Sequence, residues 1–168
     1  MKEFNQRKKT TKRYWPLITL VVIAMLGSMA LVSGNRQGLF AWMHYFMGFF
    51  FCQFAMLKLF NLSGFAEGFR MYDLIAKSFP GYATIYPFIE LGLGLSYLSF
   101  AFPTPTYIVT IIVMWVGVIG VVKALRQGLD VRCACMGTVL DVPLSTVTLS
   151  EDIAMGAMAA LMLVSTLF

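Results

Sequence analysis

The chain has 168 residues, of which 59% are hydrophobic and only 12% charged, with a mean hydropathy of +0.77 and a formal net charge of +5. An ordinary soluble domain carries about a quarter charged residues, so a water-soluble enzyme is excluded; no segments of about ten residues alternate apolar with polar, which excludes a membrane β-barrel. The positive charge stands before and between long apolar stretches rather than in a nucleic-acid-binding pattern, and the partner that composition implies is the lipid bilayer.

A bilayer core of about 30 Å takes roughly 20 apolar residues per helix, and five stretches qualify: Trp15–Val32, Leu39–Phe60, Tyr82–Phe102, Tyr107–Leu125 and Leu149–Phe168. Backbone groups in hydrocarbon must be satisfied within each helix. The expected fold is therefore an all-α membrane protein, a five-helix transmembrane bundle made of an N-terminal anchor helix and a four-helix unit. Residues 1–38 are read as the basic tail and first transmembrane helix, and residues 39–168 as the four-helix membrane domain.

Six of the thirteen lysines and arginines precede the first span in "MKEFNQRKKTTKR". The positive-inside rule sets that cluster in the cytoplasm. Threading five spans from there places Lys58, Arg70, Lys77, Lys123, Arg126 and Arg132 inside as well, and leaves only Arg36 outside. The expected location is the inner (plasma) membrane, multi-pass, with the N-terminus cytoplasmic and the C-terminus outside. The first span also has the basic and apolar regions of a signal peptide; with no clear A-x-A site after it, it is read as an uncleaved anchor.

Lys58, late in span two, and Glu90, in span three, are ionisable residues within spans, each costing roughly 3 kcal/mol if left unpaired in hydrocarbon. Both fall in the inner half of antiparallel neighbours, so an ion pair is the economical expectation, against Lys58 snorkelling alone to the interface. His44, near the outer end of span two, is read as an interfacial polar residue. Tyr14, Trp15, Trp42, Tyr45, Tyr82 and Tyr107 lie near span ends and read as interfacial anchors. Cys52 reads as a small apolar residue.

Between spans two and three, Phe65, Phe69, Tyr72, Ala76 and Phe79 recur at helical spacing while Glu67, Arg70, Asp73 and Lys77 fall on another face. That pattern predicts one interfacial amphipathic helix on the inner membrane surface, broken by Pro80 and Gly81. At the start of span five, Thr148 and Glu151 form a T-x-x-E capping box, with Asp152 adding negative charge to the same first turn. Gly156 and Ala160 leave room for close helix contact.

The inner connection between spans four and five carries "RCACMGT", with Cys133 and Cys135 one alanine apart. A zinc site would want four ligands, and neither C-x-x-C nor a histidine partner accompanies the pair. Two chemistries remain. The thiols can exchange with a partner's disulfide, since a bond closed across so short a ring is strained and oxidising; or Cys133, Cys135 and the thioether of Met136 make a soft set for Cu(I). Arg132 would favour the thiolate electrostatically in the first case. An inert loop pair in a structural subunit is the third reading.

From Trp42 to the C-terminus the chain resembles the MauE/DoxX group of small integral membrane proteins, named for the methylamine utilisation protein MauE. The resemblance rests on a lysine late in the unit's first helix, "FAMLKLF", on "YPFIELGLGL" in its second, and on the C-x-C-x-G motif "CACMG", which includes Gly137, before its last. It implies a redox-associated membrane role in which Cys133 and Cys135 are the reactive pair, with a thioredoxin-like protein as partner and a disulfide-rich periplasmic enzyme as the beneficiary. No cofactor follows from it. The charge count places the thiols on the cytoplasmic side, where they are normally kept reduced, so a periplasmic disulfide role would need reversed topology or electron relay through the bundle.

Overall fold

The computed structural model describes residues 2–33, 38–127 and 144–167. All regular structure among them is helical, in chain order α1 (Lys2–Ser33), α2 (Gly38–Phe60), α3 (Leu62–Tyr72), α4 (Leu74–Ser78), α5 (Pro80–Ser99), α6 (Pro103–Arg126) and α7 (Leu144–Leu167). Four of these helices are long and apolar enough to cross a membrane: α1 over Trp15–Ser33, α2, α6, and α7 over Leu149–Leu167. The helix at the expected third span, α5, is not among them. Its 20 residues include Pro80, Pro87, three tyrosines and Glu90, which dilute its apolar content.

The apolar faces sort the helices into an inner and an outer set. Half of the apolar window of α2 is buried against other helices, but only 11% of that of α1, whose large side chains Trp15, Leu26 and Met29 face outward. Thus α2 is central and α1 peripheral, resting on α2. The two main pairings are α2 with α5 and α6 with α7. Both are antiparallel: Lys58 meets Glu90 while Cys52 meets Gly94, and Gly117 meets Asp152 while Met114 meets Gly156.

Small residues set the separation of α2 and α5. A Cβ added at Gly94 would lie 2.9 Å from the Cys52 backbone nitrogen and 3.1 Å from the Gly48 carbonyl oxygen, so the two backbones touch where those glycines face each other. Cys52 thus acts as a packing residue and is a free thiol.

The amphipathic segment is two helices rather than one. Asn61 starts α3 by accepting a hydrogen bond from the Gly64 backbone N–H at 3.1 Å. Asp73 ends it and caps α4, its Oδ1 accepting from the N–H groups of Ile75 at 2.9 Å and Ala76 at 2.8 Å. This corrects the expectation that Asp73 shares the face opposite the aromatic one with Glu67, Arg70 and Lys77: it is 1% exposed, and burial pushes its carboxyl above the ordinary aspartate range, against the opposing pull of the two N–H donors. Phe65, Phe69, Tyr72 and Ala76 are buried as the periodicity predicts, but Phe79, placed on the same face, is 70% exposed because the chain turns there to begin α5 at Pro80.

Candidate functional site

Lys58 stands in the last turn of α2, and α5 runs antiparallel beside it, so the middle of α5 presents Glu90 to the same level. The structure brings the two together: the Lys58 ammonium donates to Glu90 Oε1, with side chains 4% and 5% exposed. A charge buried without a partner costs several kcal/mol, and the pair removes that cost for both. Aromatic faces complete the lysine's surroundings, with Nζ 4.9 Å from the Tyr86 ring centre and 5.5 Å from that of Phe65. Each such contact adds about 0.5–2 kcal/mol when desolvated. The Tyr86 hydroxyl also approaches the Glu90 carboxylate. Glu90 Oε2, buried like its neighbour, makes no hydrogen bond of ordinary geometry.

Beside the pair lies a cavity between α2, α3, α5, α6 and α7. Lys58, Glu90, Tyr72 and Tyr86 line it from one side, and Glu151 and Asp152 of α7 from the other. The centres of water-sized molecules have about 30 Å³ of room in it, enough for about one or two ordered waters. The position of the α7 acids corrects their reading as helix caps. The helix begins at Leu144, about two turns before Glu151, so both acids lie in its interior rather than its first turn. Gly117 of α6 admits one of them: a Cβ there would lie 2.7 Å from Asp152 Oδ2. Among the described residues no group of three or more His, Cys, Asp or Glu side chains is placed to hold a metal ion.

A second buried polar group forms towards the other end of α2. His44 is 1% exposed, and its ring nitrogens meet the Tyr97 carbonyl oxygen at 3.3 Å and the Tyr107 hydroxyl. The Tyr97 hydroxyl donates to Thr110 Oγ1 at 3.2 Å, which itself donates to the Thr106 carbonyl at 2.8 Å. Phe100, in the left-handed conformation at φ 55, stacks on the imidazole at 4.4 Å. His44 and Tyr107 are therefore interior partners, not interfacial residues. Their partners are 53 and 63 positions away in the chain, beyond the reach of local pattern.

Arg132, Cys133, Cys135, Met136 and Gly137 lie outside the described residues. The two described ends that their segment joins, the C-terminus of α6 and the N-terminus of α7, are at the cavity's end of the bundle. There Gly120 of α6 packs on the α3–α4 junction, where an added Cβ would lie 2.9 Å from the Tyr72 carbonyl oxygen.

Residues 36–166 match the family model described as methylamine utilisation protein MauE. The match begins just before α2 and leaves out α1. No curated protein and no solved structure matches the chain.

Proposed function

Because this chain belongs to the MauE family, a family of membrane proteins linked to methylamine utilisation, we propose that it is an integral membrane thiol-redox protein whose Cys133–Cys135 pair exchanges disulfides with a thioredoxin-like partner. The observation that carries the reading is the C-x-C-x-G motif within the family-matched segment. In this reading α5 is a fifth crossing, since it packs along α2 and its one buried carboxylate is paired. The basic N-terminal tail is cytoplasmic and the C-terminus lies outside, with residues 39–168 as the redox domain and 1–38 as its anchor.

The exchange follows from thiolate chemistry. One cysteine thiolate attacks a disulfide sulfur of the partner, forming a mixed disulfide and releasing one partner thiolate. The second cysteine thiolate then attacks its neighbour's sulfur, closing the Cys133–Cys135 bond and releasing the other partner thiolate. Two electrons pass from the pair to the partner, and the protons lost from two thiols are regained by the partner's two. Because a bond closed across so short a ring is strained and oxidising, the exchange favours the reverse direction, in which the partner's two thiols are oxidised and the pair is returned to its dithiol, the state in which the cytoplasmic face keeps thiols. Arg132 stabilises the thiolate of the pair.

The test is acid quenching of native membranes followed by mass-tagged alkylation. Two of the three thiols should change state when oxidised or reduced thioredoxin is added, with Cys52 unchanged. Thiols that never change state would sink the proposal, and Cu(I) binding that weakens in Met136→Leu would put the soft-metal reading in its place.

A further inference from the structure

Disulfide exchange leaves unused a cleft of about 590 Å³ between the end of α2, α3 and the first turns of α5. Glu67 and Arg70 of α3, its cap Asn61, and Thr84 of α5 supply polar groups, and Phe60 and Leu62 form an apolar rim. Phe60, the last residue of a helix long and apolar enough to cross a membrane, is 78% exposed. Glu90 is level with Lys58 in the last turn of that helix. Thr84 therefore lies about 9 Å past the pair at roughly 1.5 Å per residue, beyond the end of α2. The cleft stands where hydrocarbon gives way to lipid headgroups.

Two opposite charges stand open in it. Glu67 and Arg70 are spaced i, i+3 on α3, which sets Cβ atoms about 5–6 Å apart on one face and ordinarily lets such side chains pair. Among the described residues no ion pair joins them. Arg70 instead reaches across to α5, where its Nη2 donates to the Pro80 carbonyl oxygen at 3.1 Å. That bond fixes the guanidinium at the cleft and leaves its other N–H groups as donors, with the exposed Glu67 carboxylate beside them. Asn61 Oδ1 is taken by the Gly64 N–H, so its amide NH2 is a further donor, and Thr84 adds an exposed hydroxyl. A guanidinium, an amide and a hydroxyl next to a carboxylate complement a group that carries a phosphate and an ammonium side by side.

A second, independent feature leads away from the cleft along α5. Thr84, Phe88, Gly92 and Leu95 recur at helical spacing on one outward face. Phe88 is 54% and Leu95 55% exposed, and a Cβ added at Gly92 would meet nothing within 4 Å. The missing side chain between two large ones leaves a shallow apolar groove, which runs from the cleft back alongside α2 and suits an acyl chain. We propose that the cleft binds a zwitterionic phospholipid of the phosphatidylethanolamine class. Its phosphate lies towards Arg70, Asn61 and Thr84, its ammonium towards Glu67, and one acyl chain along Phe88, Gly92 and Leu95. The headgroup's charges are separated by a two-carbon link, a span that fits neighbouring charges on one helix face. An anionic headgroup without the amine leaves Glu67 facing a phosphate, and a choline headgroup has no N–H to donate to it. The site stands whether or not Cys133 and Cys135 exchange disulfides.

Native mass spectrometry of the full chain tests this, with the protein released from detergent micelles doped with equal amounts of phosphatidylethanolamine, phosphatidylglycerol and phosphatidylcholine of the same acyl chains. The unmutated protein should retain phosphatidylethanolamine over either of the others by about two- to fivefold, the worth of an exposed ion pair. Glu67→Gln should bring phosphatidylethanolamine down to the level of phosphatidylglycerol, and Arg70→Gln should lower the retention of all three. Equal retention of the three lipids by the unmutated protein would overturn the proposal, as would a preference that Glu67→Gln leaves intact or retention that Arg70→Gln does not change. The lipid comparison needs no variant, and Glu67 is exposed, so the result does not depend on a buried substitution folding.

Discussion

Removing either partner of the Lys58–Glu90 pair should destabilise the bundle, and the two removals should be unequal. Breaking a buried pair by deleting one partner costs about 3–5 kcal/mol. Lys58→Met leaves Glu90, 5% exposed, in a cavity shared with Glu151 and Asp152 and with no ammonium among its described lining residues. It also removes the contacts over Phe65 and Tyr86, worth about 0.5–2 kcal/mol each. Glu90→Gln leaves Lys58 facing two remaining carboxyls, so its cost should fall at or below the lower end of the range. At roughly 2–4 °C per kcal/mol for a chain of this size, Lys58→Met should lower Tm by about 10–20 °C and Glu90→Gln by about 10 °C or less. The double variant should lose less than Lys58→Met alone, giving a coupling of about 2–3 kcal/mol. Thermal unfolding in detergent, followed by intrinsic fluorescence, measures all four proteins. Additive losses would show that the two charges do not support each other, and a larger loss for Glu90→Gln would refute the role given to the α7 acids.

Gly94→Ala should force α2 and α5 apart, because the new Cβ meets backbone atoms at 2.9 and 3.1 Å; overpacking of this kind costs about 1–3 kcal/mol, whereas Gly92→Ala, with nothing within 4 Å, should leave Tm unchanged or higher. His44→Phe and Tyr107→Phe should each cost about 1–3 kcal/mol by leaving the other's polar atom buried alone, and together less than their sum, as a Tm cycle would show. Asp73→Ala should cost about 1 kcal/mol through the lost α4 cap, while Asp73→Asn keeps the cap. Because burial raises the folded-state value of Asp73 above its ordinary 3.8, its contribution is greatest below that value and declines as pH rises through the raised one. Asp73→Asn should abolish that decline in a stability–pH profile.

The apolar stretches, the pairing of Lys58 with Glu90, and the buried face of the segment after α2 were all legible in sequence. Each depends on periodicity or on the cost of a lone charge in hydrocarbon, and both act locally. The span expected at Tyr82–Phe102 is not among the four helices long and apolar enough to cross, because the prolines, tyrosines and carboxylate of α5 lower its apolar content. Glu151 and Asp152 were misplaced because a capping box is a pattern within four residues, whereas the helix start at Leu144 follows the proline at position 143, which was the available signal. Tyr72 and Tyr86 joined the site only through packing between helices. The same holds for the partners of His44, for which sequence spacing carries no signal.

The central claim, that Cys133 and Cys135 exchange disulfides with a partner, is tested most directly by trapping. Each of Cys133→Ser and Cys135→Ser removes one of the two sulfurs that exchange requires, one to attack and one to resolve. At least one variant should therefore accumulate a reducible covalent adduct with a thiol protein on non-reducing gels of native membranes, while Met136→Leu and Cys52→Ser accumulate none. Serine variants that form no adduct, together with tight, stoichiometric Cu(I) binding by the unmutated protein, would contradict the account.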